Sequence, residues 1–115
     1  MTKRDYRDYL KDIVDSIADI KSFVTGMTYK KFVADRKTVY AVTRGIEIIG
    51  EASKRIPKSL RDRNPSIPWK KVAGIRDIIA HEYFGIDLEI VWKVAREELP
   101  PLKPKIENIL KSLSE

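Results

Sequence analysis

A chain of 115 residues, 43% of them hydrophobic and 35% charged, has room for one domain with a single core. It has no cysteine and one histidine, which excludes disulfides, thiolate metal sites and histidine-based metal clusters. The net charge of +6 favours a polyanionic partner, and no apolar run approaches the roughly 20 residues that span a bilayer. Met1 to Tyr6 lack the apolar stretch of a secretion signal, so the expectation is a cytoplasmic domain over 1–115 that uses no metal and no cofactor.

The first predicted element is an amphipathic helix. Tyr6, Leu10, Ile13, Ile17, Ile20 and Val24 alternate steps of four and three, one apolar seam, and Gly26 follows as a stop. Asp5, Asp8, Asp12, Asp15 and Asp19 form an acidic row beside it. This row reads either as a water-facing stripe with in-helix pairs such as Arg4–Asp8 and Lys11–Asp15, or as a docking face for a basic partner.

Thr28 can cap a half-turn through Phe32, and Asp35 can cap a long helix ending near Arg55, with Val39, Val42, Ile46, Ile49 and Ser53 on its inner face and Pro57 beyond it. Gly45 and Gly50 are costly inside a helix, which points to close packing against a neighbouring backbone. Glu47 and Glu51 read as surface charges, or in the case of Glu51 as part of a crowded polar cleft. From Lys58 to Pro68 the chain is turn-rich. Pro68 then suits the first position of a helix over roughly Trp69 to Phe84, closed by Gly85.

Asp87 can cap the next helix, bearing Leu88, Val91, Trp92 and Ala95. Pro100, Pro101 and Pro104 should break or kink it near Leu99, before a last apolar stripe of Leu102, Ile106, Ile109, Leu110 and Leu113. With no strand alternation, the fold class is all-α: an up-and-down bundle of four to five helices. A core this small would gain from a second copy, so a dimer is expected.

The positive charge is concentrated. Lys54, Arg55, Lys58, Arg61, Arg63, Lys70, Lys71 and Arg76 are opposed only by Asp62 in that stretch, which reads as an RNA-guiding surface or as solvated loop charge. It runs into Arg76, Asp77, His81 and Tyr83. Arginine binds phosphate oxygens in a fork, and imidazole trades protons near neutral pH. Metal-free RNA cleavage needs a base for the ribose 2′-hydroxyl, an acid for the leaving 5′-oxygen and a cation on the phosphorane. Asp77 could hold the imidazole. Arg76 and His81, however, sit about 140° apart around a regular helix. Three things can close that gap: arginine reach, distortion near Gly85, or two copies facing each other across a cleft, which is the favoured reading. A structural histidine remains the plainer alternative from spacing alone.

The run from Arg76 through His81 to Tyr83 resembles the Arg-x4-His-x-Tyr motif of the HepT toxins, within the HEPN superfamily of helical RNases. Arg44 to Ala52 resembles the family's second-helix pattern, and Ile67, Pro68, Trp69, Ile86, Asp87 and Trp92 also match, so the similarity covers nearly the whole chain. The resemblance implies a homodimer or higher oligomer with a metal-independent ribonuclease cleft and Arg76 and His81 as the catalytic pair. It further implies an MntA-type nucleotidyltransferase antitoxin that transfers AMP to Tyr83, blocking the phosphate site with charge and bulk. Glu51 falls on a recurrent family position and is a candidate for the cleft. The alternative is a non-catalytic subunit that binds nucleotide or the nucleotidyltransferase partner.

Overall fold

A computed structural model describes residues 4–81 and 87–114, and of residues 78–81 the backbone alone. It shows the expected all-α architecture, with no strand among the described residues. The helices are α1 (Tyr6–Val24), α2 (Tyr29–Ala34), α3 (Arg36–Lys54), α4 (Lys58–Asp62), α5 (Trp69–His81), α6 (Leu88–Lys93) and α7 (Leu102–Leu113). A π-helical segment at Val94–Glu98 extends α6. No helix is long and apolar enough to cross a membrane, among the described residues.

Each start follows from a local donor count. The Asp5 carboxylate accepts from the Arg7 N–H at 2.9 Å, while the Asp5 N–H donates to Asp8 at 3.0 Å, so α1 opens on a reciprocal cap. Thr28, Asp35 and Asp87 cap α2, α3 and α6 as their sequence positions predict. The core sits where the apolar stripes meet. Leu10, Ile13, Ile17, Ile20, Val42, Ile46 and Ile49 are buried between α1 and α3, and Ile106 and Ile109 of α7 close over α1. Ser53, the polar member of the α3 stripe, is buried because its hydroxyl donates to the Ile49 carbonyl at 2.7 Å.

Three expectations are corrected. The stretch from Lys58 to Pro68 is not all turn: Lys58–Asp62 form a helical turn whose Leu60 enters the core. Pro104 takes no part in the break near Leu99 and lies within α7. It is the third residue of the helix, where a missing N–H costs nothing. Arg4 pairs with Asp12 at 2.9 Å, two turns along, rather than with Asp8. The interruption near Leu99 is present as the π-turn, in which the Leu99 N–H reaches the Val94 carbonyl at 2.9 Å.

Helix α3 is the middle layer. It packs on α1 along one side and on α5 along the other. A Cβ at Gly45 would lie 2.8 Å from Cγ1 and Cδ1 of Ile20, and one at Gly50 would lie 2.7 Å from the Arg76 Cβ. The two glycines therefore let α1 and α5 close in on α3 from different sides, as their cost inside a helix suggested.

Candidate active site

Arg76 is the best-placed of the sequence-predicted site residues. Its Cβ rests against Gly50, and the Ala73 carbonyl would be 3.4 Å from any Cβ there, so the α3–α5 crossing fixes where the arginine leaves α5. The side chain then runs into an open groove of about 570 Å³ between α1 and α3, lined also by Glu51, Glu47, Arg44, Asp12 and Tyr9. Glu51 sits one residue after Gly50. One of its oxygens lies 3.9 Å from Arg76 Nη1 and the other 3.4 Å from Arg55 Nη2. Glu51 thus faces the cleft rather than bulk solvent alone, and it links Arg76, on the groove wall, to Arg55.

Asp77 makes no ion pair with Arg76 or Arg55 among the described residues. It is about half exposed and pairs with Lys54 at 3.8 Å, which gives its carboxylate a partner on α3. The His81 side chain and all of Tyr83 and Gly85 lie outside the described residues, so the expected Arg76–His81, Asp77–His81 and Arg76–Tyr83 relations do too.

The basic stretch divides into two surfaces. Lys54 pairs with Asp77 and Arg55 with Glu51, both at the C-terminal end of α3. Arg61, Lys70 and Lys71 border a shallow groove at the start of α5, together with Pro65, Pro68 and Trp69. Lys70 and Arg76, six residues apart on one helix, point about 120° away from each other, so one flat patch cannot hold both. Lys71 is also paired, with Glu98 at 3.0 Å, whereas Arg61, Arg63 and Lys70 make no ion pair among the described residues. Trp69 is buried, and its indole N–H donates to the Asn64 carbonyl at 3.0 Å, tying the first turn of α5 to the preceding loop.

The α1 wall of the groove escaped the sequence reading. Arg4 lies 4.9 Å above the Tyr9 ring and bonds Asp12, which holds the guanidinium above its ordinary pKa. Helical periodicity gave no signal for this pair, because Arg4 precedes the Asp5 cap and reaches Asp12 from outside α1.

Residues 13–109 match the family model described as Ribonuclease HepT-like. The chain belongs to the HepT-like ribonuclease family. A Thermococcus cleftensis protein named "Probable ribonuclease HepT" is 44% identical over 109 residues, 95% of this chain and 99% of that one. A Methanocaldococcus jannaschii protein carrying an RNase name is 44% identical over 115 residues, covering all of this chain and 99% of its own. A Caldanaerobacter subterraneus protein, also carrying an RNase name, is 38% identical over 104 residues, 90% of this chain and 93% of that one. No solved structure gives a significant match. The HepT-like chain is thus an enzyme of the ribonuclease class, and the groove that receives Arg76 is its candidate active site.

Proposed function

We propose that the protein is a metal-independent endoribonuclease toxin in which Arg76 and His81 act on one phosphodiester, brought together by two chains paired across the motif helices. The reading rests chiefly on the Gly50–Arg76 apposition, which commits the guanidinium to an open groove instead of a packed interior. One imidazole removes the proton from the ribose 2′-hydroxyl, and the oxygen attacks phosphorus as the bond to the 5′-oxygen breaks. The leaving oxygen takes a proton from an imidazolium, and the products are a 2′,3′-cyclic phosphate and a 5′-hydroxyl. Arg76 holds the charge that builds on the phosphorane. Lys54, Arg55, Arg61, Arg63, Lys70 and Lys71 guide the strand as phosphate contacts.

Control comes from a nucleotidyltransferase antitoxin of the MntA type. The Tyr83 phenolate attacks the α-phosphorus of ATP, pyrophosphate leaves, and the new phosphodiester places negative charge beside Arg76. Purified protein incubated with total RNA tests the catalytic reading. His81→Ala should lose cleavage with its helical signal intact, and wild-type cutting should persist in EDTA. Cleavage retained by the variant removes His81 from the chemistry, and loss on chelation replaces the mechanism with a metal-dependent one. RNA that is bound but never cut by the wild type would favour a non-catalytic binding subunit. Co-expression with the nucleotidyltransferase should add whole AMP units at Tyr83 by intact mass; an unmodified Tyr83 removes that mode of control.

A further inference from the structure

Glu51 is not explained by folding. Its side chain is 49% exposed, and its two partners Arg76 and Arg55 are 41% and 59% exposed, where an ion pair adds little stability. Yet its two oxygens are shared between two guanidiniums that come from different helical elements: Arg76 from the middle of α5 and Arg55 from the C-terminal cap of α3. A carboxylate bridging two arginines through separate oxygens imitates a phosphodiester, whose two non-bridging oxygens are offered in the same forked manner.

We propose that Arg55 and Arg76 form a two-guanidinium phosphate seat and that Glu51 is its resident anion, keeping the pair assembled until a substrate phosphate displaces it. Only the identity of the ligand, an RNA phosphodiester, rests on the ribonuclease reading. Three features argue for the exchange. Gly50 fixes the base of Arg76 against α3, so the guanidinium cannot drift far from residue 51. Glu51 lines the wall of the 570 Å³ groove, which gives its side chain room to swing aside when a phosphate arrives. Arg55 has no second acidic partner among the described residues, so the release of Glu51 leaves both cations open to one ligand. The cost of holding two like charges together is met in the free protein by the carboxylate and in the complex by the phosphate.

The test is binding of a 2′-O-methylated single-stranded RNA oligonucleotide, which lacks the nucleophile, at a series of salt concentrations. Glu51→Gln should tighten binding about two- to fivefold, the ratio that an exposed ion pair is worth. The same change made on an Arg55→Ala, Arg76→Ala background should do nothing. Each arginine removed singly should lower the salt slope by about 0.7, as expected for one phosphate contact on a single strand. Glu51→Gln that leaves affinity unchanged or weaker overturns the proposal. So does equal tightening on the double-alanine background, since that would be a general charge effect. A wild-type protein that binds the oligonucleotide but never cuts unmodified RNA sinks the catalytic reading and leaves the seat standing. One that binds none of it overturns the seat.

Discussion

The two halves of α3 use the same residue for unlike ends. At Gly45 the missing side chain makes room for Ile20, a fully buried aliphatic whose far end can move. At Gly50 it makes room for the Cβ of Arg76 and the backbone of Ala73, which cannot move without shifting α5. The first contact belongs to the core and the second to the wall of the candidate site. A glycine in a helix therefore says that something approaches, and only the neighbour says why.

The comparison can be broken most severely at Gly50. Gly50→Ala should push α5 away at Arg76 and lower RNA cleavage by about a hundredfold, the loss that a misplacement near 1 Å brings. Unchanged turnover in that variant would detach the crossing from activity. At Gly45 the same substitution should leave cleavage alone, because the gain of about 1 kcal/mol in helix propensity is set against a repacking cost of about 1–3 kcal/mol around Ile20. A modest fall in melting temperature with full activity is the expected result; a loss of activity there would erase the distinction between the two halves.

The smallest effect lies at the start of α3, away from both glycines. Asp35 is held below the usual carboxylate range, first by the Thr38 hydroxyl and then by the Thr38 N–H. A depressed folded-state value means that its stabilising contribution is present above the ordinary Asp value and is lost as pH falls through the lower folded one. Melting followed from pH 6 down to about pH 2 should therefore show the gap between wild type and Asp35→Ala narrowing as the carboxylate is protonated. Parallel curves would show that the cap is not sensed through its charge.

Much of this organisation was legible in the chain. The seam from Tyr6 to Val24 and the stripe from Val39 to Ser53 gave the right helices with the right faces, because period 3.6 and burial are the same fact seen twice. Asp35 and Asp87 marked starts because their carboxylates meet N–H groups two or three residues on. What could not be read was which neighbour each surface residue would meet. Arg4 reached past Asp8 to Asp12, Asp77 found Lys54, and Glu51 found two arginines. The Asp77–Lys54 and Glu51–Arg76 pairings depend on the angle at which α3 and α5 cross, and that angle is set by side chains far apart in sequence. Lys70 and Arg76 show the converse, since nearness along the chain placed them on different sides of one helix.

The two indoles sit in different surroundings, which an optical experiment can use. Trp69 is sealed at the first turn of α5, hydrogen-bonded to Asn64, whereas Trp92 lies 5.1 Å from the Phe32 ring and 5.2 Å from the Arg96 guanidinium. With one tryptophan replaced by phenylalanine at a time, emission colour becomes a local gauge of which helix, α5 or α6, loosens first, and the motif helix carries its own lamp.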